Sequence, residues 1–531
     1  MTLPSTRLFD TLDQNQKLLT CLEALQDTQC AMLLLRFCAL PKIVHLLRTI
    51  SPEISLQYAN QHDKSVLSTF TTFVKTDQLS DEDTLQAQLR IRDGGFGLLS
   101  MADTTGAAYV ASVHTFVAKT DTMTPSLAPA IRQAVLDRKA FEGLEPAMQN
   151  LCKTKDSLAT RHRDATFFQP PQQLTDILTP PTSSSSSYQR KLAYLSLQNK
   201  RDILYGRANN FELSRLLSLA QKGASAFLTV LPQDPERQIK ASHFTQLCRT
   251  RLGLSLADLE ITHCICKMPL DAVHLQTCQF SKAYRRHEAV VSQLCEAIRA
   301  AGFSPVTSDL PSLTAVSLSD PPAGTTGAAP VPATATPTAH TATTAATTTP
   351  STTNSTNSNF TNSDADDGGD GQHDKHCGDI YVPNFFALGQ GVMLDVTIAN
   401  AQAQYCVQHP KAGEPTLKAE KRKHSKYDDM YKRVGITFVP IAFDSNGAIG
   451  KEADLFLKQL ATKAVLRNPD MDWAGPALRA GWVLNISLIV QRELVRNMFD
   501  LASRCRGKQL DREAVFGLDT PATFARFMAE H

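Results

Sequence analysis

The chain has 531 residues, 42% of them hydrophobic and 20% charged, and 54 Lys and Arg against 52 Asp and Glu leave a net charge of +2. That is too long for one core but apolar enough to bury several, so roughly three to four domains are expected, and the helical and strand segments taken in order below make the expected fold class α+β. The near-balance of charge excludes a uniformly basic nucleic-acid coat and leaves room for local basic patches.

The opening stretch MTLPSTRLFD has neither the basic start nor the apolar run of a signal peptide. The expected location is the nucleus or cytoplasm rather than secretion. The apolar run at residues 482–490 is interrupted by Asn485 and Ser487 and falls short of the about 20 residues that cross a bilayer, so no membrane partner is expected. The 12 cysteines are spread along a long chain, which argues against a disulfide scaffold.

Residues 1–165 read as helical. Within them, residues 30–50 form two apolar helices meeting at Pro41. Residues 89–100, LRIRDGGFGLLS, carry Gly94, Gly95 and Gly97 and predict a turn rather than a phosphate loop, since no Lys-Ser or Lys-Thr follows. A linker at 166–189 contains TPPTSSSSS. Residues 190–283 are again helical, over 190–206, 209–231 and 241–252. Residues 304–376 are dominated by Thr, Ala, Ser, Pro and Asn, cannot offset their ordering entropy, and are expected to be disordered. Residues 284–303 and 377–465 predict a small α/β domain. Its β-branched runs at 380–382, 392–398 and 436–443 are strands, 416–431 is a charged helix after Pro415, and 451–465 is an amphipathic helix. Residues 466–531 hold C-terminal helices, the longest over 482–504. Trp473 and Trp482 are expected in the core.

Two constellations carry chemistry. Cys264, Cys266, His274 and Cys278 follow C-x-C-x7-H-x3-C. Three thiolates and an imidazole make the tetrahedron that structural zinc requires, and four protein ligands close the site. Farther on, Asp379 opens one strand and Asp395 sits inside the next. Lys423, Lys426 and Tyr427 share one helical face with Ala419. Two carboxylates and a lysine suit metal-dependent phosphodiester cleavage. The acids hold Mg²⁺ through oxygen, the metal lowers the pKa of a bound water, and the lysine orients that water or offsets transition-state charge. Lys282, Arg285 and Arg286, with Tyr284 among them, form a basic and aromatic patch suited to phosphate contact and stacking.

Together these segments resemble the C-terminal region of non-LTR retrotransposon polyproteins that carry a restriction-like endonuclease. LPKIVHLLRTI and RDGGFGLLSM resemble the thumb-like stretch after the polymerase palm, and GASAFLTVLPQDPERQI with HFTQLCRTRLGL resembles the segment before the zinc knuckle. Cys264, Cys266, His274 and Cys278 match the knuckle, and Arg286 and His287 match the basic pair behind it. Asp379 and Asp395 match the acidic positions of the nuclease; Glu420, Lys423, Lys426 and Tyr427 match its E-x-x-K-x-x-K-Y helix. The resemblance implies a PD-(D/E)xK fold that nicks target DNA with a divalent metal, the new 3′ end priming reverse transcription. It implies DNA as substrate, and the element's RNA and a polymerase in trans as further partners, with Lys282, Arg285, Arg286 and His287 gripping nucleic acid. The chain departs from the pattern in three places. Cys377 and Gly378 replace the usual Arg-Pro, Lys267 replaces the knuckle glycine, and fifteen residues separate the aspartates. No polymerase palm or paired aspartates of the Y/F-x-D-D type are found, so the chain is not expected to synthesise DNA by itself. A zinc-containing nucleic-acid binder without catalysis, or an inactive remnant of such a polyprotein, is the alternative.

Overall fold

A computed structural model describes residues 3–138, 141–179, 185–256, 263–270, 272–278, 280–307, 378–467 and 474–516. The Thr-rich segment from 308 onward, Cys377 and Trp473 lie outside the described residues. The principal helices are α1 (Leu3–Ala24), α2 (Thr28–Leu34), α3 (Pro52–Val74), α4 (Asp81–Gln88), α5 (Met101–Met123), α6 (Leu144–Arg161), α7 (Ser185–Arg207), α8 (Asn210–Leu219), α9 (Ala241–Leu252), α10 (Ala272–Thr277), α11 (Ala283–Ala300), α12 (Glu414–Arg433), α13 (Lys451–Arg467) and α14 (Gly475–Phe516). Three strands, β1 (Ile380–Ala387), β2 (Gln390–Ala399) and β3 (Thr437–Asp444), complete a mostly helical α+β protein. Met1–Thr307 and Gly378–His531 cluster as one compact unit.

The helix ends follow the sequence. Ser80 and Asp83 close a capping box at the start of α4, the Asp83 amide donating to Ser80 Oγ at 3.0 Å and the Ser80 amide to Asp83 Oδ2 at 3.3 Å. Asp63, in the middle of α3, caps α5 from outside. Its carboxylate accepts from Ser100 Oγ at 2.7 Å and from the amides of Met101 and Ala102 at 2.8 and 3.1 Å. The glycine-rich turn is structural. Gly94 and Gly97 have φ of +85° and +76°, and the turn's carbonyls receive the buried Arg251 guanidinium, which donates to the oxygens of Ile91, Gly95 and Ala224.

Several expectations need correction. Residues 30–50 are not two α-helices broken at Pro41. After α2 the chain runs through a π-turn at Leu35–Ala39 and a 3₁₀ turn at Leu40–Ile43, with Pro41 in its first turn, where a missing N–H costs nothing. By length and composition Thr28–Leu47 could cross a membrane, but half of it is buried, with Met32, Leu35, Ile43 and Leu47 in the core. Residues 209–231 are not one helix, because α8 stops at Leu219 and the chain turns at Gly223. There φ is +92°, and a Cβ would meet Ser487 Oγ at 2.4 Å and the Gly447 carbonyl at 2.5 Å. Ser185–Ser187, expected in the linker, begin α7. Ser304–Thr307, expected in the disordered insert, are described. Val306 pairs with Tyr381 through two 2.8 Å backbone hydrogen bonds and so continues the sheet edge beside β1.

The sheet order is β1-β2-β3, with β1 and β2 antiparallel and β2 and β3 parallel across the crossover helix α12. One face is apolar: Val392, Leu394 and Val396 on β2, with Ile380, Val382, Ile441 and Phe443, pack against α11, α13 and α14. Side chains alternate along a strand, so Met393 and Asp395 leave β2 on the other face, toward α12. A second core joins α1, α2, α3 and α9 to the Cys-His segment and the far half of α14. A third joins α5, α6 and α7.

Candidate functional site

β1 and β2 bring the two acids together. Ile380 pairs with Leu394, so Asp379, one residue before β1, and Asp395, one residue past Leu394, meet at the end of the ladder. The chain reaches this position past Gly378, where a Cβ would meet Met393 Sδ at 2.6 Å and the Tyr431 hydroxyl at 3.1 Å. The Asp379 amide donates to the Leu394 carbonyl at 2.9 Å, and Asp379 Oδ2 accepts from the Val396 amide at 2.6 Å. Asp395 is 6% exposed, and Lys423 of α12 places its Nζ 2.6 Å from Asp395 Oδ2.

His287, on the first turns of α11, approaches from the other layer with Nε2 3.1 Å from Asp379 Oδ2. The cluster is therefore two carboxylates, from β2 and the residue before β1, with an ammonium and an imidazole from the flanking helices. Burial raises the Asp395 pKa, Lys423 draws it down and Asp379 pushes it up. The hydrogen bond to Asp379 holds His287 above the ordinary histidine value despite partial burial. The contacts from the Val396 amide, His287 and Lys423 all fall on Oδ2 atoms.

The other members of the α12 face are placed differently. Lys426 is exposed, with Nζ 5.0 Å from the Tyr427 ring centre. Tyr427 packs on Phe438 with ring centres 5.5 Å apart. Its ring lines the helix–strand interface, with Lys423 Nζ 5.5 Å from the ring centre. Glu420, one turn before Lys423, is buried, and burial raises its pKa. It accepts the Glu452 amide at 3.0 Å beside Gly450, where a Cβ would meet Glu420 Oε1 at 2.3 Å. His424 bridges Asp428 at 2.7 Å and Glu452 at 2.8 Å. No spacing in the sequence announced His287 as a partner of Asp379, or His424 and Glu452 as a pair.

The expected basic patch after the knuckle is dispersed. Arg286 is buried and faces the buried Asp444, which burial pushes up to about 6 while Ser218, two backbone amides and Arg286 hold it down. It is thus inside the protein rather than at a phosphate-binding surface. Arg285 pairs with Asp500 of α14 at 3.0 Å, and His287 turns to Asp379. Lys282 precedes α11 with φ +50°.

The Cys-His segment forms a tight turn and one helical turn. The Cys264 amide donates to the Met268 carbonyl at 2.9 Å and the Lys267 amide to the Cys264 carbonyl at 2.8 Å. Lys267 has φ +72°. The left-handed conformation is kept with a side chain present, at a cost of about 1 kcal/mol relative to glycine. The ligand atoms of Cys264, Cys266, His274 and Cys278 lie within 4.8 Å of one another. Cys264 and Cys278 sulfurs are 3.6 Å apart, Cys266 and Cys278 sulfurs 3.9 Å, and Cys266 Sγ lies 3.1 Å from His274 Nε2. A tetrahedron with metal–sulfur bonds of about 2.3 Å has sulfur–sulfur edges of about 3.8 Å. The cluster can therefore hold a metal ion and is compatible with zinc. Burial pushes Cys264 up, but hydrogen bonds within the cluster outweigh it and bring the thiol down to about 7. Cys278 is pushed up to about 12 by burial and by the thiols beside it.

No protein-family model matches this chain. No curated protein matches it either. Geometry and donor chemistry alone argue for what the two clusters do.

Proposed function

We propose that the chain is a divalent-metal-dependent DNA endonuclease of the restriction-like type, centred on Asp379, Asp395 and Lys423. One observation carries this reading: the end of the β1–β2 ladder brings Asp379, just before β1, close enough to act on Asp395 of β2, and Lys423 reaches Asp395 from the crossover helix. The donor set fits Mg²⁺, a hard cation that takes carboxylate oxygens at about 2.0–2.1 Å. A metal held by Asp379 and Asp395 would supply a Lewis acid and a water of lowered pKa. Lys423 sits where an ammonium offsets charge on the cleaved phosphate. His287 and the Val396 amide hold the Asp379 carboxylate in place. The exposed Lys418, Lys421, Arg422, Lys426 and Arg433 of α12 give the DNA backbone a cationic edge. Zinc at the Cys-His cluster is structural in this account, since four protein ligands leave no open position. The order of knuckle, paired acids and E-x-x-K-x-x-K-Y helix supports an origin among the nucleases of non-LTR retrotransposons, and a DNA substrate fits a nuclear location.

Purified protein is expected to nick supercoiled DNA with Mg²⁺ and not with excess chelator. Asp395→Asn, which keeps shape and removes charge, is expected to lower the rate by at least about a hundredfold. Equal nicking by both proteins would defeat the assignment. The neutralisation of both acids by His287 and Lys423 favours one competing reading, a purely structural charge cluster in a nucleic-acid binder. That reading expects salt-dependent DNA binding with no cleavage under any divalent metal.

A further inference from the structure

A fourth thiol stands beside the Cys-His cluster, from a distant part of the chain. Cys505 of α14 is 3% exposed, and its sulfur lies 3.9 Å from Cys264 Sγ, a donor to it across 241 residues of sequence. The four ligand atoms within 4.8 Å of one another do not include Cys505. It therefore stands behind Cys264 rather than within the tetrahedron. Two further contacts fix α14 here: Arg285 pairs with Asp500 at 3.0 Å, and Arg504 donates to the Phe280 carbonyl.

We propose that Cys505 is a positioning residue of the metal centre, its S–H donating to the Cys264 thiolate and tying the C-terminal helix to the bound metal. The proposal rests on the reading of the Cys-His cluster as a zinc site. A metal-bound thiolate is electron-rich, and a donor behind it fixes its direction and tunes the metal–sulfur bond. Cys264 is only 5% exposed, so the protein rather than water supplies the donors around its sulfur. In the folded protein α14 then closes the second coordination layer, and losing the thiol weakens metal retention without removing a ligand.

The test uses the full chain loaded with Co²⁺, whose sulfur-to-metal charge-transfer band reports the thiolates, together with Zn²⁺ release to a chelator. Cys505→Ala is expected to shift the cobalt band and to speed zinc release about tenfold, the lower end for loss of a partner behind a metal ligand. Cys505→Ser, which keeps a donor, is expected to restore most of the retention. Leu501→Ala, one turn earlier on α14 and equally buried, loosens the same core without touching a thiol and is expected to leave the cobalt band where it is. The proposal is overturned if Cys505→Ala has the band and release rate of Leu501→Ala. A wild-type protein that takes up neither metal in stoichiometric amount removes the zinc reading itself, a result separable from the first.

Discussion

Replacing Lys423 with Met is expected to destroy metal-dependent cleavage while the protein stays folded, with a loss of at least about a hundredfold, typical of removing one preorganised charge from a transition state. Methionine keeps most of the apolar stem and deletes the ammonium. The Lys423 and Asp395 side chains are only 20% and 9% exposed, so the variant leaves a buried carboxylate without its counter-charge, at a cost of about 3 kcal/mol at neutral pH. The pH dependence follows from the sign of the Asp395 shift. Burial already raises that pKa and Lys423 restrains it; without the lysine it rises further. A carboxyl whose pKa is higher folded than unfolded takes its proton more readily when folded. The variant's deficit is therefore small below the wild-type folded pKa, grows as pH rises from there toward the variant's higher folded pKa, and is level above it. Adding Asp395→Asn to Lys423→Met is expected to recover stability but not cleavage. Urea unfolding of the single and double variants across pH checks this, and a deficit that ignores pH would contradict it.

Stripping the metal that the Cys-His cluster can hold is expected to have the second large effect. Cys264, Leu270, Leu275 and Cys278 share a core with α1, α3, α9 and α14, so the segment is part of the interior rather than a separate finger. Apparent binding free energies of structural zinc reach about 10–16 kcal/mol in small peptides. Here a large core supports the turn as well. Chelation in reducing buffer is expected to lower amide protection over residues 263–278 by at least about a hundredfold, equivalent to about 2.7 kcal/mol, and to leave the β2 amides protected. Unchanged exchange at 263–278 would show that the metal contributes nothing to the fold.

The parts of this protein that local chemistry dictates were legible before the structure. The strands announce themselves as β-branched runs, although β1 extends five residues past its expected end to Ala387. The helical spacing that put Lys423 on one face of α12 is the spacing that delivers it to Asp395. The four ligand positions of the Cys-His cluster lie within fifteen residues, so spacing alone proposed them. What remained hidden is long-range. His287 meets Asp379 across 92 residues, and its neighbour Arg286 looked like a surface cation because nothing nearby shows that Asp444 waits inside. Asn209–Leu231 looked like one helix because a single glycine carries little weight in a periodic pattern. The contact that makes Gly223 a turn comes from Ser487, far along the chain. Lys267 stands where a glycine was expected, and only its φ of +72° reveals a left-handed turn of the kind glycine favours.

The central claim is that Asp379 and Asp395 together hold a divalent cation beside Lys423. Anomalous diffraction from crystals soaked in Mn²⁺ tests it directly. A manganese peak is expected between the two carboxylates, within about 2.6 Å of an oxygen from each, and is expected to vanish in Asp395→Asn crystals. A peak confined to other sites, or none with both aspartates intact, would contradict it.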